Sequence, residues 1–200
     1  MESPYNELLQ SEWEVRTRLL IQQHPLKPDE IYQVVHKVWQ DIFLSSIGTR
    51  PYKLGIDIFP SPQIMGFLLH EIIALEFSSR YPGLWRRDSN SSEKDLVYMP
   101  DDLYSIEIKT LSSPKSIFGN RSYAQPLTKD GKSKKAKSGY YLAVNFEKFS
   151  NKIEQPKILQ VRFGWLDHAD WMGQSAATGQ QAKLSPAVEK FKLLKLPLIE

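Results

Sequence analysis

Apolar residues recur at three- and four-residue steps through Ile31, Val34, Val35, Val38, Trp39, Ile42 and Phe43, with polar residues between them. Such positions share one side of a 3.6-residue turn, so the spacing predicts an amphipathic helix. Pro28 sits where a helix favours its start, Asp29 and Glu30 suit the positive end, and Gly48 ends the pattern. Upstream, residues 7–23 carry Leu8, Trp13, Leu19 and Leu20 among polar residues and predict a first helix. His24-Pro25-Leu26-Lys27-Pro28 breaks it, because proline disfavours helix at the residue before it. The apolar face of the second helix has two possible destinations, the main core or a second subunit. Ser61-Pro62 opens a third helix running to about Phe77. It is apolar nearly all round, through Ile64, Met65, Phe67, Leu68, Leu69, Ile72, Ile73 and Leu75, which predicts a core helix packed on a sheet.

From residue 84 the pattern shortens. Stretches 84–87, 95–99, 103–109, 140–146 and 157–166 are rich in β-formers and predict five strands. The last carries Ile158, Leu159, Val161, Phe163 and Trp165. Beyond His168 comes Gly- and Gln-containing sequence, then a short helix opened by Ser185 and Pro186. The predicted fold class is α/β, a mixed five-stranded sheet flanked by helices, with an N-terminal helical extension. Residues 1–50 form the helical region, for core packing or dimerisation. Residues 51–200 form the main domain, and a loop-rich basic segment spans 112–138.

Composition narrows the class. The chain has 200 residues, 41% of them apolar and 24% charged, which fits one globular domain. Mean hydropathy is −0.41, and no apolar run nears the roughly 20 residues that span a bilayer. Met1-Glu2-Ser3-Pro4-Tyr5-Asn6-Glu7 lacks the basic-then-apolar layout of a signal peptide. A soluble cytoplasmic protein is expected. The absence of cysteine excludes disulfides, thiolate zinc sites and cysteine nucleophiles. Between Lys115 and Lys137, seven cations stand against Asp130 alone, a local +6 within a total of +3. A concentrated basic segment on a slightly acidic body suits either a polyanion partner or a solvated loop.

The chemically loaded stretch is Asp95 to Lys109. Pro100-Asp101-Asp102 is a turn signal between two β-rich runs. In the second run Tyr104, Ile106 and Ile108 point to one face, and Ser105, Glu107 and Lys109 to the other. A three-residue turn pairs Met99 with Leu103 and sets Asp95 opposite Glu107, with Cβ atoms about 4.5–5.5 Å apart. A two-residue turn breaks that alignment. Facing carboxylates repel, and a hard divalent cation converts the repulsion into a binding site. Lys109, on the same face, can orient an attacking water or help to deprotonate it. Asp…Glu-x-Lys on a hairpin is therefore a compact phosphodiesterase kit, or else a solvated strand face with a Glu–Lys pair. Glu71 is the one acid among Ile64, Phe67, Leu68 and Leu75 on the third helix. Burial of an acid costs several kcal/mol unless it is paired or metal-linked. Glu71 either aims into the same cation site, or reaches out at the helix edge or pairs with an arginine. His70 points about 100° away around the helix. His24, His36, His70 and His168 lack zinc-ligand spacing, and no Gly-rich phosphate loop supports a nucleotide cofactor.

Glu71, Asp95 and Glu107-Ile108-Lys109 resemble the helix Glu and the Asp…(Asp/Glu)-x-Lys core of the PD-(D/E)XK nuclease superfamily. Lys94 stands where its consensus has proline. Ile117-Phe118-Gly119-Asn120-Arg121-Ser122-Tyr123-Ala124-Gln125 and residues 163–171 further resemble type II restriction endonucleases of the ScaI family. The resemblance implies a restriction-endonuclease-like core within 51–200. It implies Mg²⁺-dependent cleavage of duplex DNA, leaving 5′-phosphate and 3′-hydroxyl ends, by a homodimer on a palindromic site. Asp95, Glu107 and the Ile108 carbonyl would hold the metal, Lys109 would position the water, and Glu71 would support the site or a second ion. Asn120, Arg121 and Gln125 have the chemistry to contact base edges, as more weakly do Gln174, Gln180 and Gln181. Lys132, Lys134, Lys135 and Lys137 suit phosphates. A structure-specific repair or recombination nuclease and a non-catalytic DNA-binding module are the competing readings.

Overall fold

The computed structural model describes residues 2–125, 137–150, 153, 155–174 and 179–198. Helix α1 (Trp13–Gln23) and helix α2 (Pro28–Leu44) come first. Pro28 occupies the first turn of α2 with Asp29 and Glu30, and Ile31, Val34, Val35, Val38, Trp39 and Ile42 are buried. That face packs against the next helix and the central sheet within the same chain, and the Trp39 indole N–H donates to the Pro156 carbonyl at 2.8 Å. A small ribbon of β1 (Ser46–Ile47) and β2 (Tyr52–Lys53) follows.

Helix α3 (Pro62–Arg80) buries Met65, Gly66, Leu69, Ile73, Ala74 and Phe77. It is not enclosed on all sides, as its composition predicts. Ile64 (52%), Phe67 (62%) and Leu75 (46%) stay exposed, because the sheet covers one side of the helix only. Ser61 sits at the N-cap but makes no side-chain capping bond.

The strands continue with β3 (Trp85–Arg87), β4 (Leu96–Tyr98), β5 (Ile106–Leu111), β6 (Phe118–Asn120) and β7 (Gly139–Phe146). Then come β8 (Ile158–Leu166), β9 (Met172–Gly173), β10 (Gln181–Lys183), the short helix α4 (Pro186–Phe191) and β11 (Leu193–Lys195). Six strands form the central sheet, in the order β11-β8-β7-β5-β4-β3. The sixth, β11, follows α4 and pairs along the edge of β8, with Leu194 opposite Phe163. β5 and β7 are parallel and the remaining pairs antiparallel, so the sheet is mixed. A separate sheet has the order β6-β10-β9.

Alternation along the central strands divides the apolar residues between two cores. Tyr140, Leu142, Val144 and Phe146 of β7 face α1, α2 and α3. Tyr141 and Ala143 face the other way, with Ile117, Tyr123, Trp171 and Ala182. Gly66 lets α3 sit close on β5, since a Cβ there would meet Thr110 Oγ1 at 3.0 Å. The Thr110 hydroxyl donates to the Gly66 carbonyl at 3.0 Å. Among the described residues, no helix is long and apolar enough to cross a membrane.

Candidate active site

β4 pairs with β5 through Leu96 opposite Ile106. One step further along the same register, Asp95 comes opposite Glu107. The connection is larger than a three-residue hairpin turn. Asp101 accepts a bond from the Leu103 N–H at 3.0 Å, residues 102–104 form a 3-10 turn, and the Tyr98 N–H donates to Ser105 Oγ at 3.0 Å. Leu103 and Tyr104 consequently lie outside β5, which begins at Ile106 and extends to Leu111. Because the alternation holds, Ile106 and Ile108 enter the helix-side core, and Glu107 and Lys109 face the opposite side.

Both strand carboxylates are buried, Asp95 at 7% exposure and Glu107 at 2%. Each is compensated differently. Asp95 accepts the Ile108 backbone N–H at 2.7 Å and meets His70 Nε2 at 3.2 Å. Glu107 Oε1 takes the Lys109 ammonium at 2.6 Å and the Tyr123 hydroxyl. Lys109 Nζ also donates to Tyr123 Oη at 2.8 Å, closing a three-membered network. Burial, followed by the negative charge of Glu107, pushes the Tyr123 hydroxyl far above the usual phenol range. Its proton therefore stays on, to be donated to Glu107, while a lone pair receives Lys109.

Glu71 lies on α3 in an ion pair with Arg87 of β3, and its second oxygen is 3.3 Å from His70 Nδ1. His70 thus stands between Glu71 and Asp95. Burial works against the imidazolium, but the bond to Asp95, aided by the charges of Asp95 and Glu71, outweighs it and raises the His70 pKa. The structure joins Asp95, Glu107 and Lys109 along one strand pair and links Glu71 to Asp95 through His70. Two residues of this network escaped the sequence reading. Tyr123 reaches Glu107 across 16 positions from the 3-10 turn that follows β6, which no local pattern signals. On an ideal helix His70 points about 100° away from Glu71, yet its ring spans both carboxylates.

Among the described residues, no three His, Asp or Glu side chains converge closely enough to hold an ion unaided. The donor chemistry nevertheless fits a hard cation. Mg²⁺ takes one or two protein carboxylates and fills its other positions with water and phosphate oxygens. Asp95, Glu107 and the Ile108 carbonyl supply hard oxygen donors of that kind.

The DNA-facing candidates fall in several places. Asn120 ends β6 and is exposed, as is Gln125 at the end of the 3-10 turn Arg121–Ala124. Arg121 donates through its guanidinium to the Gly179 carbonyl and through its backbone N–H to the Gln180 carbonyl, each at 2.9 Å. Lys137 Nζ stands 3.9 Å from the centroid of the Tyr123 ring. Lys132, Lys134 and Lys135 lie outside the described residues.

A family model described as the ScaI restriction endonuclease matches residues 3–197. The type II restriction enzyme ScaI of Streptomyces caespitosus is 47% identical over 196 residues, covering 98% of this chain and 85% of that protein. No solved structure matches the chain.

Proposed function

The chain belongs to the ScaI restriction endonuclease family, and from that premise we propose that it is a type II, Mg²⁺-dependent, site-specific deoxyribonuclease acting in the cytoplasm. The observation that carries the proposal is the opposition of Asp95 and Glu107 across β4 and β5, with Lys109 on the same face. Two buried acids beside a cation suit phosphodiester hydrolysis better than they suit passive binding, because burying them costs stability.

Asp95, Glu107 and the Ile108 carbonyl hold Mg²⁺, with Glu71 supporting the site or a second ion. When bound, Mg²⁺ offsets the charge on the reacting phosphate and favours ionisation of water. Lys109 positions the attacking water in line with phosphorus. A P–O bond forms to that water as the bond to the 3′ oxygen breaks, leaving 5′-phosphate and 3′-hydroxyl ends. Asp95 and Glu107 keep their orientation through the Ile108 N–H and the Tyr123 hydroxyl.

Asn120, Arg121 and Gln125 form the DNA-facing set near the cut, and Lys132, Lys134, Lys135 and Lys137 contact phosphates. Two copies act on a palindromic duplex, one site per strand. Residues 1–50 buttress a nuclease domain at 51–200.

Incubation with unmethylated phage DNA and Mg²⁺, followed by sequencing of the fragment ends, tests the proposal. Discrete fragments with one shared terminal sequence are expected, together with loss of cutting in EDTA and in Asp95→Ala. Undiminished cutting by Asp95→Ala would refute the assignment of the site. Preference for branched over linear duplex DNA would point to a structure-specific nuclease.

A further inference from the structure

The sheet of β6, β10 and β9 has two unlike faces. Gly119, Ala182 and Gly173 stand opposite one another on the inner face. A Cβ at Gly119 would meet Trp171 at 3.0 Å and Tyr123 at 3.2 Å, so the inner face is packed tightly on the residues that adjoin the candidate active site. On the outer face Gln181 is the direct partner of Asn120, and Lys183 the partner of Phe118. Asn120, Gln181 and Lys183 are exposed. A groove of about 550 Å³ connects this face to the catalytic strand, running from Thr110 and Leu111 past Ser112 to Asn120 and Gln181. Thr110 directly follows Lys109.

We propose that the paired amides of Asn120 and Gln181 are the adenine-reading element of this enzyme, presented on the β6–β10 ribbon to the major groove of the duplex. The inference rests on the endonuclease reading above and adds to it the base class and the pair that reads it. A carboxamide offers a donor and an acceptor side by side, the complement of adenine N7 and N6, and the major groove admits a two-stranded ribbon. Arg121, which stands with Asn120 in the DNA-facing set, also braces the ribbon. Its bonds to the Gly179 and Gln180 carbonyls tie the approach to β10 onto β6. Gln174 backs the pair, its backbone N–H donating to the Gln181 carbonyl at 3.2 Å. Tyr123 supplies the rigid link, since its ring supports the ribbon and its hydroxyl bonds Glu107 and Lys109.

The test takes the consensus that the wild-type protein cuts from a random-sequence duplex pool with Mg²⁺. It then replaces each adenine of that consensus in turn by 7-deaza-2′-deoxyadenosine. Loss of N7 is expected to slow wild-type cleavage at one position by about 5- to 150-fold. Asn120→Ala and Gln181→Ala are expected to cut the natural consensus more slowly by a similar factor. They should then lose nothing further at that position, while responding normally at the other adenines. Gln181→Glu preserves the shape of the side chain and removes the donor to N7, so the same loss is expected in it should an alanine variant misfold. A consensus without adenine, unimpaired cutting by the variants, or an undiminished response to every 7-deaza position overturns the inference and leaves the endonuclease reading intact. A wild-type protein that makes no discrete cuts overturns both.

Discussion

Lys109 is held between two oxygens of different character, the Glu107 carboxylate at 2.6 Å and the neutral Tyr123 hydroxyl at 2.8 Å. That placement keeps the ammonium beside the acids, where the proposed reading puts the attacking water. Lys109→Ala is therefore expected to lower the cleavage rate by about 10²–10³-fold, the range for loss of a preorganised donor at the reacting centre. Single-turnover cleavage checks it, with DNA affinity measured in EDTA expected to change little. Asp95, Glu107 and Lys109 were legible in the sequence because strand alternation has a fixed period of two, which assigns faces without any knowledge of packing. Glu71 was legible as an anomaly only. Three of its four apolar neighbours on the helix, Ile64, Phe67 and Leu75, are exposed, and its charge meets Arg87, a partner that β3 brings in from 16 residues away.

At the level of elements, β5, which carries Glu107 and Lys109, is fixed at both ends by contacts remote in sequence. The Thr110 bond to Gly66 ties it to α3. Ahead of it, His24 at the end of α1 bonds the Tyr104 carbonyl through Nε2 at 3.0 Å and receives the Leu26 N–H on Nδ1 at 3.1 Å. Those two bonds require the neutral ring, and burial lowers the His24 pKa from 6.5 to about 4. Between these values the unfolded chain binds more protons than the folded one. The stabilisation from His24 is thus complete above pH 6.5 and is lost as pH falls to about 4, a difference of about 3 kcal/mol. Urea unfolding at pH 7 and at pH 4 measures it, and His24→Gln should show the smaller loss. A second element-level constraint is at Gly164 in β8, where a Cβ would come within 2.1 Å of the Lys192 carbonyl oxygen. Backbone cannot swing aside as a side chain can, so Gly164→Ala is expected to lower stability by about 1–3 kcal/mol or more in the same measurement. β11, which Lys192 precedes, should move most in hydrogen exchange.

Across the whole molecule, positive charge is concentrated between β6 and β7 on a body that is otherwise slightly acidic. Lys137, at the C-terminal end of that stretch, lies over the ring of Tyr123, whose hydroxyl bonds Glu107 in the candidate active site. Each phosphate neutralised contributes about 0.9 to the slope of log affinity against log salt. Neutralising Lys132, Lys134 and Lys135 together is expected to reduce that slope by up to about 3, without changing the sequence at which the enzyme cuts. Titrations of DNA binding across a salt series check the first expectation, and fragment-end sequencing the second. Ion pairs also gather at the C-terminal end of β8. Lys192 bonds Asp167 at 3.1 Å and Asp170 at 2.9 Å, and Ser3 donates to Asp167 at 2.7 Å, so both ends of the chain meet beside β8.

Helix positions, strand faces, the mixed α/β class and the Asp95–Glu107–Lys109 constellation followed from sequence alone, because each depends on a short-range period or on the register across one turn. The sixth strand did not, since Leu193–Lys195 is too short to carry a pattern and is defined by the edge of β8 that receives it. Nor did the roles of His70 and Tyr123, or the pairing of Asn120 with Gln181. These residues meet their partners through the docking of separate elements, and only the packing that excludes water between those elements decides which side chains come within bonding distance.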